Sequence, residues 1–308
     1  MRHARLASVA AHRPARLVTN AQLPVAMDDA WVLARTGIRT RAYAEEGVVD
    51  MAAAAAAKAC AAAGLEPTEI DLLILGTCTM PTSMPGGAPQ VASRLGSACA
   101  AFDVNSACAG FSTGLAIAAD AVRGGSAQRA LVIGADRFSG WLDWTEPKTS
   151  VLFGDGAGAA VVVPSDEPGI GPVVWGSDGS GADLIRIDEG THLLAMDGPA
   201  VFRWATARMV EVCRSACAAA GLAPADLDAF VPHQANMRIV TSLVRALGLG
   251  PETVVADDVA DSGNTSAASI PLALARLRDE GRVDPGGTAL LVGFGAGLSW
   301  AAQVVRIP

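Results

Sequence analysis

The sequence predicts an α/β protein in which two halves share one plan, each a layered sheet covered by helices. Three observations carry this. Ala59-Cys-Ala-Ala-Ala-Gly-Leu-Glu-Pro-Thr-Glu-Ile-Asp71 returns as Ala216-Cys-Ala-Ala-Ala-Gly-Leu-Ala-Pro-Ala-Asp-Leu-Asp228, an offset of 157 residues (217 − 60), close to half of the 308-residue chain. Arg129-Ala-Leu-Val-Ile-Gly-Ala-Asp-Arg-Phe-Ser-Gly-Trp141 aligns with Thr288-Ala-Leu-Leu-Val-Gly-Phe-Gly-Ala-Gly-Leu-Ser-Trp300 at nearly the same offset, 159 (288 − 129). Between these matches, helical and short buried-strand patterns alternate, the signature of helices layered on sheets.

The first repeat reads as an Ala-rich helix closed by Gly64 or Gly221, a Pro-containing turn, and a buried strand: Leu72-Leu-Ile-Leu-Gly in one copy, Ala229-Phe-Val-Pro-His in the other. Ala-rich helices match by chance, but the shared Gly-Leu-x-Pro-x-x-(Ile/Leu)-Asp tail does not follow from composition. Leu131 to Gly134, Ala159 to Val163 and Ala289 to Val292 are short, apolar and rich in β-branched residues, as inner strands are. Ser106-Ala-Cys-Ala-Gly-Phe and Gly263-Asn-Thr-Ser-Ala-Ala each open an apolar helix with small residues. The division expected is residues 1–165 for the first half and 166–308 for the second. Phe153-Gly-Asp-Gly-Ala-Gly-Ala-Ala resembles a dinucleotide loop but runs into the strand Val161-Val-Val, where a helix would be needed, and lacks the acidic residue that follows such a loop. Its glycines are expected to allow close backbone packing.

Composition narrows the function classes. A net charge of −8 gives no bulk attraction to nucleic acid or anionic membranes, so an acidic partner would need a local basic patch. No apolar run reaches the roughly 20 residues of a membrane span, and Arg13 and Arg16 interrupt the N-terminal segment before a signal-peptide core forms, so a cytoplasmic protein is expected. The six cysteines (60, 78, 99, 108, 213 and 217) lack paired CxxC spacing, which leaves zinc without a case and makes thiols the default.

Three polar residues interrupt small or apolar settings. Cys108 heads a helix, where the free N–H groups and the positive dipole end favour a thiolate. Asn264 is expected at the matching place in the second half (264 − 108 = 156), and His233 follows the strand Ala229 to Pro232. Singly, each has an ordinary explanation as a packing thiol, a turn imidazole or a capping amide. Converging at a pseudo-dyad, they make a nucleophile, a proton manager and a donor toward developing negative charge.

At these residues the chain resembles the β-ketoacyl-acyl-carrier-protein synthase III family. The likeness spans Trp31-Val-Leu-Ala-Arg-Thr-Gly-Ile-Arg39, Ser106-Ala-Cys-Ala-Gly-Phe111, the 153–159 glycine run, Val231-Pro-His-Gln-Ala-Asn236, Gly263-Asn-Thr-Ser-Ala-Ala-Ser269 and the Gly-rich turn before Trp300. It implies the thiolase-like five-layered α-β-α-β-α fold and a homodimer. It also implies an acyltransferase without metal or redox cofactor, using acyl-coenzyme A or acyl-carrier-protein thioesters as substrates. By the same resemblance Cys108 carries the acyl group, His233 and Asn264 support decarboxylation of a malonyl thioester, and the N–H groups of Cys108 and Ala296 form the oxyanion hole. Trp31, Arg35 and Asn236 would bind coenzyme A or pantetheine, Met84 would border the acyl pocket, and Arg203, Arg238 and Arg245 would dock the acidic carrier protein.

Departures from the family pattern concern the donor. Pro147 and Lys148 stand where the second half of an adenine clamp is expected, and Asp197-Gly-Pro-Ala replaces an asparagine contact, which favours a donor carried on a protein. Met84 beside two glycines implies room for an acyl chain larger than acetyl. The leading expectation is decarboxylative Claisen condensation in fatty-acid or polyketide biosynthesis. Acyl transfer to an alcohol or amine and a noncatalytic carrier-binding subunit are the competing classes.

Overall fold

A computed structural model describes residues 2–25 and 27–308. The first half contains β1 (His3–His12), β2 (Leu17–Thr19), α1 (Asp29–Thr36), β3 (Thr40–Ala42), α2 (Val48–Ala62), β4 (Leu72–Gly76), α3 (Gly87–Arg94) and β5 (Ala100–Val104). It continues with α4 (Gly110–Gly124), β6 (Ala130–Arg137), α5 (Pro147–Ser150) and β7 (Asp155–Ser165). Then come β8 (Val174–Ser177), β9 (Ile185–Ile187), β10 (Leu194–Met196), α6 (Gly198–Ala219), β11 (Ala229–Pro232) and α7 (Met237–Leu247). β12 (Val254–Val255), α8 (Val259–Ser262), α9 (Ser269–Asp279), β13 (Thr288–Gly295) and β14 (Ser299–Arg306) complete the chain.

The strands form two five-stranded sheets of identical plan, β5-β4-β6-β7-β1 and β12-β11-β13-β14-β8. In each, the first three strands are parallel and the last two antiparallel. Register agrees too: Leu72 stands opposite Ala130 as Ala229 stands opposite Ala289. These pairings keep the offsets of 157 and 159 that the sequence repeat displays. The Ala-rich helices end alike, Gly64 at φ 68° and Gly221 at φ 74°, where the left-handed conformation favours glycine.

Five layers result because the central strands are apolar on both faces and alternate residues serve different layers. Leu73, Leu75, Leu131 and Ile133 pack outward on the alanine face of α2, whereas Ile74 and Val132 face inward onto Phe111 and Leu115 of α4. Across the molecule Phe230, Leu290 and Val292 meet α6 and α7, while Val231 and Leu291 turn toward the middle layer and α9. Helices α4 and α9 therefore lie between the two sheets, and α9 is buried from Ser269 through Ala275. The strand containing the glycine run starts earlier than the sequence indicates, at Asp155, so most of that run is itself strand. A Cβ on Gly158 would approach the side chain of Pro271 to 2.7 Å, which is the close packing expected of it.

Candidate active site

The two halves meet at a pair of matching turns. Ala107–Ala109 and Ser266–Ala268 are short 3-10 turns that lead into α4 and α9, and each starts with a non-glycine residue at positive φ, Ala107 at 44° and Ser266 at 51°. The residue two places before each accepts a hydrogen bond in its side-chain oxygen: Ala107 N donates to Asn105 at 3.4 Å and Ser266 N to Asn264 at 2.9 Å. This geometry corrects the pairing drawn from sequence. Asn264 corresponds to Asn105, and Cys108 corresponds to Ala267, because the turns superpose at the offset of 159 and not 156.

The structure brings Cys108, His233 and Asn264 to one cavity of about 930 Å³. Cys108 sits with Gly295 pressed against it, where a Cβ would come within 2.8 Å of the Cys108 Cβ. Ser266 Oγ donates to its sulfur at 3.3 Å. The helix-head position does not yield a thiolate at rest. Burial pushes the thiol up to about 12, with the nearby Asp136 carboxylate adding to the effect and the Ser266 hydrogen bond opposing it. The regular helix begins only at Gly110, two residues later.

His233 extends from β11, its N–H bonded to Val292 O at 2.7 Å. The residue is only 2 % exposed, and its ring stands edge-on to Phe294 at 5.3 Å with Nδ1 2.7 Å from Ser269 Oγ. Burial holds the imidazole down at about 3, so it is neutral in the folded chain. Asn264 is fixed through its backbone, with its N–H on Leu152 O at 2.8 Å and its C=O receiving Gly154 N at 3.0 Å. Since Oδ1 takes the Ser266 N–H, its Nδ2 group has no protein partner among the described residues and is free to donate.

Asp136, at the end of β6, is fully buried and unites the two halves. It accepts from Thr77 Oγ1 at 3.0 Å, Cys78 N at 2.9 Å, Thr79 Oγ1 at 2.8 Å and Ala267 N at 3.1 Å. Sequence reasoning passed over Asp136, Ser266, Ser269 and Phe294. An acid closing a fully apolar strand was the available signal for the first, since such a group must gather donors. The hydroxyls carried no pattern of their own.

The outer cavity holds most of the remaining expected residues. Arg35 lies over the Trp31 ring at 5.8 Å, one turn along α1. Asn236 caps α7 by accepting Arg238 N at 2.8 Å, and its Nδ2 reaches Arg35 O at 3.4 Å. Lys148, Arg186, Arg203 and Arg238 line the same cavity as Glu146 and Asp197, a local cationic excess on an acidic chain. Ala296 also lines the cavity. Two residues fall elsewhere. Met84 is 84 % exposed and does not line the cavity of its own chain, because the loop after β4 projects outward before α3 begins. Arg245 is exposed on the last turn of α7, away from the cavity wall.

The family model for 3-oxoacyl-[acyl-carrier-protein] synthase III matches residues 102–179, and the model for the C-terminal part of that family matches 217–307. Beta-ketoacyl-[acyl-carrier-protein] synthase III 4 of Streptomyces coelicolor is 50 % identical over 312 residues, covering 99 % of this chain and 98 % of the relative. Among solved structures, the priming beta-ketosynthase of the R1128 polyketide biosynthetic pathway superposes with a TM-score of 0.95 at 44 % identity, covering 100 % of this chain and 97 % of that one. The 3-oxoacyl-(acyl carrier protein) synthase III of Pseudomonas aeruginosa PAO1 gives 0.94 at 39 % identity, covering 100 % and 99 %. With its two sheets, its paired turns and these likenesses along its whole length, the chain belongs to the 3-oxoacyl-[acyl-carrier-protein] synthase III family.

Proposed function

We propose that this protein takes an acyl group from a thioester onto Cys108 and condenses it with a malonyl-type carrier-protein thioester, starting or extending a fatty-acid or polyketide chain. The observation that carries the reading is the convergence of the Cys108 thiol, the neutral His233 imidazole and the free Nδ2 group of Asn264 on a single cavity where the halves meet. Acyl exchange moves the Cys108 proton to the departing thiol. Cleavage of the malonyl C–COO⁻ bond then sends its electron pair into an enolate, whose oxygen receives N–H donation from His233 and Asn264. The enolate carbon attacks the acyl carbonyl, whose oxyanion faces the N–H groups of Cys108 and Ala296; carbon dioxide is released, and the Cys108 sulfur leaves and takes one proton from solvent. The broken carboxyl bond supplies the electrons, so the scheme calls on no metal or redox cofactor.

In this reading residues 1–165 contribute the nucleophile and 166–308 the imidazole and carboxamide. Acyl carrier protein docks through Arg203 and Arg238, with Arg245 at the edge of its footprint. The donor thioester passes Trp31, Arg35 and Asn236, and Lys148 in place of a second clamp favours a donor carried on protein over free coenzyme A. A homodimer is part of the proposal: β5 is an open sheet edge carrying Phe102 at 41 % exposure, and a partner subunit is the acceptor for the outward Met84. No helix among the described residues is long and apolar enough to cross a membrane.

The test is intact-mass analysis after incubation with acyl-coenzyme A and acyl-carrier donors, followed by malonyl-carrier protein. An acyl adduct absent from Cys108→Ala, carbon dioxide release and a product two carbons longer are expected. An adduct that passes only to alcohols or amines would replace condensation with simple acyl transfer, and no adduct from any donor would overturn both.

A further inference from the structure

The internal symmetry exposes a pair of positions at which the halves part company. His233, one residue past β11, corresponds at the offset of 157 to Gly76, the last residue of β4, and Ser269 corresponds to Gly110, each the first residue of its middle-layer helix. In the first half these two backbones touch, and a Cβ on Gly76 would lie 2.6 Å from the Gly110 carbonyl carbon. In the second half the same contact is made by side chains, Nδ1 of His233 to Oγ of Ser269 at 2.7 Å.

Hydrogen-bond accounting then decides the direction of that contact. Ser269 is fully buried, and its Oγ already accepts the N–H of Gln234 at 3.2 Å. The hydroxyl has one proton to give, and His233 Nδ1 is its only acceptor among the described residues. If Nδ1 carried the proton, the Ser269 O–H would be left buried without a partner, at a cost proteins avoid. We infer that Ser269 donates to Nδ1 and thereby fixes the imidazole as the Nε2–H tautomer, presenting a donor to the cavity. Ser269 is thus a positioning residue acting through His233.

The inference rests on the condensation reading for its consequence, though not for its geometry. A neutral imidazole with Nε2 protonated can stabilise an enolate oxygen but has no lone pair on that nitrogen for the Cys108 proton. Loss of Ser269 should therefore weaken the decarboxylation step and leave acylation of Cys108 nearly untouched. Burial reinforces the assignment, because the neutral ring persists throughout the working pH range.

The primary measurement needs no variant: long-range ¹⁵N–¹H correlation spectra of the ¹⁵N-histidine-labelled protein, with His233 assigned by its absence in His233→Gln. The expected result is a protonated Nε2 and an unprotonated Nδ1; a protonated Nδ1 overturns the inference. In Ser269→Ala the two tautomers should mix, with malonyl decarboxylation reduced about 10-fold, acyl-adduct formation on Cys108 within about twofold, and Ser269→Thr restoring most of the loss. An unchanged tautomer and rate in Ser269→Ala would also overturn it. If instead the tautomer is as assigned but His233→Gln decarboxylates normally, the condensation mechanism fails while the tautomer assignment stands.

Discussion

The turn at Asn105–Ala109 and the turn at Asn264–Ala268 have the same backbone shape, the same asparagine side-chain bond and the same exit into a middle-layer helix. They differ in what the shape presents. The first offers a thiol from its fourth residue, Cys108, whereas the second places Ala267 there and uses its leading asparagine, which is 6 % exposed and clamped to the 152–154 segment. The strand-and-helix contact beside each turn differs likewise, two glycines on one side and His233 with Ser269 on the other. The two halves therefore share a scaffold, and Cys108 and His233 stand where the other half has Ala267 and Gly76.

The harshest way to break the comparison is to give the glycine side a side chain. Gly76→Ala would push a Cβ into the Gly110 and Phe111 backbone at 2.6 to 2.9 Å, contacts that no rotamer can relieve. A loss of about 3 kcal/mol or more is expected in chemical denaturation.

Next in size, Asn264→Ala should lower malonyl decarboxylation about 100-fold by removing one of two enolate donors, with the Cys108 acyl adduct still forming. Asn105→Ala, its symmetry mate, is the control. It should change decarboxylation less than about threefold, and equal losses in both variants would show that the asparagines act on turn geometry instead of chemistry.

Titration sharpens the contrast further. Burial holds Cys108 up at about 12, so alkylation by iodoacetamide should rise about tenfold per pH unit without a plateau through about pH 9. Burial holds His233 down at about 3, so the decarboxylation step should show no imidazole titration between about pH 5 and 8. Linkage adds a stability signature. The unfolded chain protonates His233 near its ordinary value of about 6.5 and the native chain does not, so stability falls as pH drops from there toward 3 and levels off below. His233→Gln should flatten that limb in denaturation curves taken across the window.

Much of the architecture was legible because repetition leaves a mark that composition does not. The matched helix, Pro turn and strand located β4 and β11, and the second match located β6 and β13, since buried strands need apolar residues on both faces. Cys108, His233 and Asn264 were legible as polar residues in apolar surroundings. The partner assignment was not: a one-dimensional alignment set Asn264 opposite Cys108, and only the backbone dihedrals of the two turns revealed a shift of three residues. That Met84 points away from its own chain's cavity was not legible either, because a sequence names the residues of a loop without giving the direction in which the loop points.

By itself, then, the sequence determined the two-fold plan, the matched helix, turn and strand segments of each half and the three polar residues that interrupt small or apolar settings, because hydrophobic periodicity and repetition are local properties of a chain. Tertiary structure decided the protonation states of Cys108 and His233, the bridging role of Asp136 and the hydroxyl that faces the imidazole. Those depend on desolvation and on contacts between residues tens to more than a hundred positions apart, quantities that exist only once the two halves have closed on each other.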